Sequence, residues 1–84
     1  MGKSGDYSLV LYNDDVNSFQ YIMACLIRFC KMEPIQAEQC AVIADKTGKC
    51  VIKLGSWSEL EDIQLALKEM NIKVKLEIDE SYLY

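Results

Sequence analysis

The chain has 84 residues, 51% hydrophobic and 26% charged, which indicates one small globular domain and excludes a disordered segment. Its net charge of −4, with nine basic residues spread along the chain, argues against nucleic-acid binding, since phosphate neutralisation needs a basic face. No apolar stretch is long enough to cross a bilayer and the start does not resemble a signal peptide, so we expect a cytoplasmic protein that does not bind membranes.

The first half of the sequence predicts one strand and two helices. The apolar run YSLVLY indicates a strand over Tyr7–Tyr12. The loop NDDVN follows, and Asn17 is a good N-cap for a first helix that runs to about Cys30 with one apolar face. Pro34 fits the first turn of a second helix, which we expect to end near Ala44.

The second half predicts a strand, a helix and a last strand. A turn at Gly48 precedes a short strand over Lys49–Leu54. The segment SWSELE contains two overlapping capping boxes at the start of a third helix, which runs to about Met70. Residues 72–78 alternate strictly between apolar and polar, which is typical of a half-buried antiparallel strand.

The order of these elements predicts the fold class. A β-α-α-β-α-β chain with strands that are apolar on one side needs helices on the buried face. We therefore expect a compact α+β sandwich with a three-stranded antiparallel sheet and three helices packed on one face. The domain spans residues 7–78, between a flexible N-terminal segment (1–6) and a C-terminal tail (79–84).

The chain lacks the residue patterns of an enzyme or a cofactor site. Its cysteines, Cys25, Cys30, Cys40 and Cys50, match no usual zinc spacing, and the sequence contains no histidine. In a reducing cytoplasm we expect most of them to be small buried hydrophobic residues. Neither a nucleophile–base arrangement nor a glycine-rich phosphate loop is present, so we expect a binding module without catalytic activity, metal or cofactor.

The paired acids Asp14 and Asp15 allow two interpretations. Carboxylates before a helix are stabilised by the helix dipole, by about 0.3–1 kcal/mol, and this structural role explains them without a ligand. Carboxylates near a pocket can also hold an ammonium group or a metal ion. A metal-binding or hydrolytic role for these two residues together with Asp45 is a third, weaker hypothesis.

The segment YSLVLYNDDVNSFQYIMACLIRFC resembles the signature of the ClpS family, the adaptors of ATP-dependent Clp proteases in the N-end rule. The likeness continues through AEQCAVIADKTGKC and ends with VKLEI, so that it covers nearly all of residues 7–78. It implies the same fold as the order of elements, which is also similar to the C-terminal domain of the ribosomal stalk protein.

The resemblance implies an adaptor that recognises N-degrons. Such an adaptor binds the free α-amino group and the large hydrophobic side chain of a destabilising N-terminal residue: Leu, Phe, Tyr or Trp. It then delivers the substrate to a Clp AAA+ unfoldase, of the ClpA or ClpC type. An ammonium group buried at a pocket mouth must be paired, and amide and carboxylate oxygens are suitable acceptors.

Matching the sequence to the family pattern assigns roles to individual residues. The implied ligands of the α-amine are Asn13, Asp14, Asp15 and Asp45, and Asp15 is favoured over Asp14. The implied walls of the hydrophobic pocket, each also compatible with plain core packing, are Phe19, Ile22, Ala41, Ala44 and Ile72. The implied site of docking on the unfoldase is the acidic start of the third helix, at Glu59 and Glu61.

Asp45 departs from the family pattern, which has a histidine at this position. The carboxylate can pair with the ammonium group directly, or it can repel the other acids, raise a carboxyl pKa and spoil the site. It can also simply end the helix in solvent. The alternative function is therefore a ClpS-like docking module that binds an unfoldase or another protein without recognising N-termini.

Overall fold

A computed structural model describes residues 7–78, in which three strands and three helices follow one another in the order β-α-α-β-α-β. The elements are β1 (Tyr7–Tyr12), α1 (Phe19–Cys30), α2 (Pro34–Thr47), β2 (Lys49–Gly55), α3 (Trp57–Glu69) and β3 (Val74–Ile78). The predicted fold class is confirmed by the three-stranded antiparallel sheet and the three helices. The predicted segments 1–6 and 79–84 lie outside the described residues.

β1 is the central strand of the sheet. It pairs antiparallel with β2 along one edge and with β3 along the other. Leu9 lies opposite Leu76 and Leu11 lies opposite Val74, so these side chains share the inner face of the sheet. The register between β1 and β2 shifts between Leu9 and Val10, and such a bulge increases the local twist of the sheet.

The helices cover the inner face of the sheet and form one hydrophobic core with it. The leucines that are fully buried come from β1, α1 and α3: Leu9, Leu11, Leu26, Leu60 and Leu67. Burial of each such side chain stabilises the fold by about 1.5–3 kcal/mol. α2 contributes the small buried residues Ala37, Ala41 and Ala44, which let this helix approach its neighbours closely.

The N-cap of α1 is Ser18, so the prediction of Asn17 was wrong by one residue. Ser18 Oγ accepts a hydrogen bond from the backbone N–H of Tyr21 at 3.1 Å. Both residue types are good caps, and local sequence does not separate them. The Asn17 side chain instead forms hydrogen bonds with the preceding loop and with the turn before β3.

α2 extends three residues beyond its predicted end at Ala44. It stops at Gly48, which has a φ of 100° and donates its backbone N–H to Ala44 O at 2.9 Å. Asp45 therefore lies in the last turn of the helix, where the negative end of the dipole disfavours a carboxylate. α3 starts with the first of its two predicted capping boxes, formed by Ser56 and Glu59.

The cysteines belong to the hydrophobic core, as expected. Cys25 and Cys40 are buried, whereas Cys30 and Cys50 are half-buried and pack against the core. Within residues 7–78, no three His, Cys, Asp or Glu side chains are grouped so that they could hold a metal ion. In the same part of the chain, no helix is long and apolar enough to span a membrane.

Candidate functional site

A depression at the end of β1 combines polar and apolar side chains. It lies where β1 runs into the Asn-Asp-Asp loop, between the start of α1 and the end of α2. Its volume is about 210 Å³, which includes the solvent at its mouth. The lining residues are Leu11, Tyr12, Asn13, Asp14, Phe19, Ile22, Ala41, Ala44 and Asp45.

The apolar walls come from two helices. Phe19 and Ile22 are three residues apart in the first turns of α1, so they lie on the same face of the helix. Ala41 and Ala44 have the same spacing on α2. Ile22 and both alanines are buried, whereas Phe19 is 39% exposed and therefore forms part of the rim. The apolar side of the depression therefore consists of buried aliphatic side chains, with Phe19 at their edge.

Asp14 fixes the loop that forms the polar side of the depression. Its Oδ1 atom accepts hydrogen bonds from the backbone N–H groups of Val16 at 2.8 Å and Asn17 at 3.1 Å. Its Oδ2 atom accepts one from the side-chain amide of Asn17 at 2.6 Å. The same amide donates to Asn71 O at 2.8 Å and so ties the loop to the turn before β3.

These hydrogen bonds keep Asp14 ionised. Burial by itself raises the pKa of the carboxyl group, but hydrogen bonds from Asn17 and Val16 and the charge of Lys73 outweigh it. The pKa consequently lies below its ordinary value of 3.8. A carboxylate has about four lone-pair sites, so Oδ2, which accepts one hydrogen bond from this loop, has capacity for a further donor.

Asn13 and Asp45 are held at the mouth of the depression by the backbone. The N–H of Asn13 donates to Gly48 O at 2.9 Å, which joins the loop to the C-cap of α2 three residues after Asp45. Both side chains are exposed, and neither forms a hydrogen bond with another residue of the described part of the chain. Their oxygens are therefore available to a donor that enters from solvent.

The structure brings together seven of the nine residues that the sequence suggested for the amine site and the pocket. Asp15, which was favoured over Asp14, is exposed and does not line the depression. Ile72 is 3% exposed and belongs to the core; it lines a different depression, beside the start of β3. Of the two acids of the loop, only Asp14 lines the depression.

Sequence reasoning missed Leu11 and Tyr12, the last two residues of β1. A signal for them was present, because a strand that leads directly into a binding loop brings its final residues to the same place. Leu11 belongs to the apolar floor, as it is 1% exposed. Tyr12 donates its hydroxyl to Glu77 Oε2 on the adjacent strand, and this bond raises the pKa of the phenol, with burial and the charge of Glu77 adding to the effect.

The two acids proposed for unfoldase docking lie elsewhere, at the start of α3. The Glu59 side chain accepts from Ser56 N at 3.4 Å in the capping box, so it has a structural role at the helix terminus. Glu61 is exposed in the next part of the helix. Only Glu61 is free of the capping interaction.

The arrangement is suited to a small cation attached to an apolar group. Asn13, Asp14 and Asp45 provide amide and carboxylate oxygens on one side, and Phe19 and the alanine-lined wall provide an apolar surface on the other. A primary ammonium group has three donors and satisfies acceptors of this kind. An apolar side chain on the same molecule would then lie in the depression.

Comparisons with known proteins identify the family and the fold. A family model described as ATP-dependent Clp protease adaptor protein ClpS matches residues 3–76. Among solved structures, the fold is similar to that of Agrobacterium tumefaciens ClpS2, solved bound to L-phenylalaninamide, with a TM-score of 0.73 and 17% sequence identity. That match covers 86% of this chain and 94% of the other. No curated protein matches the sequence.

Proposed function

The chain belongs to the ClpS family of Clp protease adaptors, and from this premise we propose that it binds the N-terminal residue of substrate proteins and delivers them to a Clp AAA+ unfoldase. Recognition uses the free α-amino group and the first side chain. The protein acts in the cytoplasm and catalyses no reaction itself. The protease that receives the substrate from the unfoldase cleaves the peptide bonds.

One observation carries this proposal: Asn13, Asp14 and Asp45 line the same depression as the apolar residues of α1 and α2. An α-ammonium group that leaves water loses its hydration, and this cost is prohibitive unless acceptors replace the lost water. Charge-assisted hydrogen bonds to carboxylates are about twice as strong as neutral ones. An internal peptide segment has no ammonium group and would leave these carboxylates unpaired.

Asp14 and Asp45 have different roles in this proposal. Asp14 is held by three hydrogen bonds from its own loop, so it presents a fixed negative charge with one free acceptor position. Asp45 lies in the last turn of α2, where the helix dipole disfavours it. A bound ammonium group relieves this repulsion, which explains why an aspartate is tolerated where the family pattern has a neutral histidine.

The apolar part of the depression selects the first side chain. Leu, Phe, Tyr and Trp are the residues expected to enter, since each buries enough apolar surface to add to the binding of the amine. The exposed Phe19 at the rim limits the width of the entrance. Phe19 therefore determines which of these four first residues the chain prefers.

Fluorescence anisotropy with labelled peptides tests the proposal. Peptides that begin with Leu, Phe, Tyr or Trp should bind at least tenfold more tightly than the same peptides acetylated at the amine, because acetylation removes the charge and two donors. The Asn13→Ala variant should lose most of this difference, and Asp15→Ala, an exposed neighbour outside the depression, should keep it. Equal binding of free and acetylated peptides in the wild type would reject the proposal.

A docking module without N-terminal recognition is the second candidate. The observation that favours it is that both oxygens of Asp14 already accept hydrogen bonds from the loop, which explains this acid without a ligand. Two results together would support it. Asn13→Ala and Asp45→Ala should leave the pull-down of a ClpA- or ClpC-type unfoldase unaffected, and peptides with free and acetylated amines should bind equally.

Docking on the unfoldase is proposed for the start of α3. Glu61 is exposed there and outside the capping box, whereas Glu59 stabilises the helix terminus. Glu61→Arg should weaken capture of the unfoldase and leave peptide binding unchanged. Glu38→Arg makes the same charge change on an exposed position of α2 and serves as the matched control.

A further inference from the structure

We propose that a lysine-lined groove beside the amine site binds acidic residues at positions two to four of the substrate, so that the chain prefers N-degrons followed by Asp or Glu. This inference rests on the proposed function and assigns a second specificity element to the same substrate. The groove lies at the start of β3 and has a volume of about 590 Å³, including the solvent at its mouth. Its lining residues are Tyr12, Lys68, Ile72, Lys73, Val74 and Lys75.

The groove is next to the amine site, since Tyr12 lines both depressions. The backbone N–H of Tyr12 donates to Lys73 O at 2.9 Å, so Lys73 lies directly across from it. The charge of Lys73 also acts on Asp14 in the binding loop. When the first residue of a peptide occupies the amine site, the following residues can therefore run over Tyr12 into the groove.

The charge of the groove is opposite to that of the whole protein. The chain has a net charge of −4 and nine basic residues, and three of these nine line this one groove. No carboxylate is among the described residues that line it. The nearby acid Glu77 accepts a hydrogen bond from the Tyr12 hydroxyl, and its negative charge offsets one of the three lysines. An acidic peptide segment is the occupant that this charge favours.

The lysine side chains are positioned by three different segments. Lys68 comes from the last turn of α3, Lys73 from the turn that follows and Lys75 from β3. Lys75 Nζ lies 5.9 Å from the centre of the Tyr12 ring, in the range of a cation–π contact. The Tyr12 ring thus provides an apolar surface in the groove, with the Lys75 ammonium group above it.

We expect the groove to meet positions two to four of the peptide. β1 and β3 are neighbours in the sheet, and adjacent strands are about 4.8 Å apart. An extended peptide advances about 3.3 Å per residue, so two or three residues reach from the end of β1 across β3. Lysine side chains add several ångströms of reach, and residues further along the peptide extend beyond the groove.

The test compares Phe-initiated peptides that differ only at positions two to four, which hold three Glu, three Gln or three Lys. The Glu peptide should bind about tenfold more tightly than the Gln peptide, at about twofold for each exposed charge pair, and the Lys peptide should bind most weakly. The preference should shrink at high salt, because ions screen exposed charges.

Variants assign this preference to the groove. In the triple variant Lys68→Gln, Lys73→Gln, Lys75→Gln, the Glu and Gln peptides should bind within twofold of each other. The Gln peptide with a free amine should still bind more tightly than its acetylated form, which shows that the fold and the amine site are intact. Lys31→Gln removes one positive charge from an exposed position at the end of α1, as each single substitution in the groove does, and should keep the tenfold preference.

The outcomes separate this inference from the proposed function. If free-amine peptides bind better than acetylated ones but Glu and Gln peptides bind equally, only the groove assignment is overturned. An acidic preference that survives in the triple variant overturns it too, since the charge would then lie elsewhere. If no peptide binds through its free amine, the proposed function fails and this inference fails with it.

Discussion

The side-chain amide of Asn17 donates to Asp14 Oδ2 at 2.6 Å and thereby closes the Asn-Asp-Asp loop on itself. Its second hydrogen bond, to Asn71 O at 2.8 Å, anchors that loop to the turn before β3. The carboxylate of Asp14 is therefore held in place before a ligand arrives. Preorganisation of this kind reduces the entropy that binding would otherwise cost.

Asp14→Asn should destabilise the protein by about 1 kcal/mol at neutral pH, since an amide cannot accept all three hydrogen bonds of the carboxylate. The folded-state pKa of Asp14 is depressed, so its contribution is complete above the ordinary value of 3.8 and is lost as the pH falls through the folded value. Urea denaturation between pH 7 and 2.5 measures the difference between variant and wild type. A difference that stays constant to the lowest pH would contradict this role.

Asp45→Asn should change stability and affinity in opposite directions. Removal of a carboxylate from the last turn of α2 should stabilise the fold by a few tenths of a kcal/mol. The same change should weaken binding of a Phe-initiated peptide about tenfold, because a charge-assisted hydrogen bond becomes a neutral one. Calorimetric titration gives the affinity and thermal unfolding the stability. An unchanged affinity would show that Asp45 does not bind the ammonium group and only ends the helix.

Phe19→Ala should widen the depression and shift the preference towards larger first residues. Phe19 is 39% exposed, so its truncation should cost about 1 kcal/mol, less than the 3–5 kcal/mol typical of a buried phenylalanine. The ratio of affinities for Trp- and Leu-initiated peptides, measured by anisotropy, should rise. Val16→Ala, 76% exposed and outside the depression, is the control. A ratio that Phe19→Ala leaves unaltered would place the side-chain pocket elsewhere.

Cys30 and Cys40 should react slowly with thiol reagents in the folded protein. Burial raises the pKa of Cys30 to about 11, and burial together with a hydrogen bond to Cys50 raises that of Cys40 to about 12. At pH 8 about one Cys30 side chain in a thousand is a thiolate, the reactive form. Mass spectrometry after brief alkylation should find both residues unmodified without urea and modified with it. Rapid alkylation of Cys40 in the folded protein would show that the reagent reaches the core at this residue.

The family resemblance assigned Phe19, Ile22, Ala41 and Ala44 to one pocket, and all four line the depression. Helical spacing supported this assignment for Phe19 and Ile22, because the period of a helix fixes which residues share a face. It does not indicate which residues of another helix lie opposite them. The fold followed from the same kind of pattern, together with the alternation in β3.

The errors fall where no period applies. Asp14 and Asp15 are adjacent in a loop, and sequence alone does not tell which side chain turns inward. Asn17 and Ser18 are both good caps, and the choice between them depends on partners of Asn17 that are distant in the chain, such as Asn71. Ile72 was assigned to the pocket, but its burial in the core depends on how α3 packs against β3.

The most direct test of amine recognition is a nuclear magnetic resonance titration with a Phe-initiated peptide, because it locates the ligand residue by residue. The largest shifts of backbone amide resonances should occur over residues 13–19 of the loop and 41–45 of α2, and the acetylated peptide should leave both segments unperturbed. Shifts of equal size with the acetylated peptide, or shifts confined to other elements, would contradict the proposal that this chain reads free N-termini.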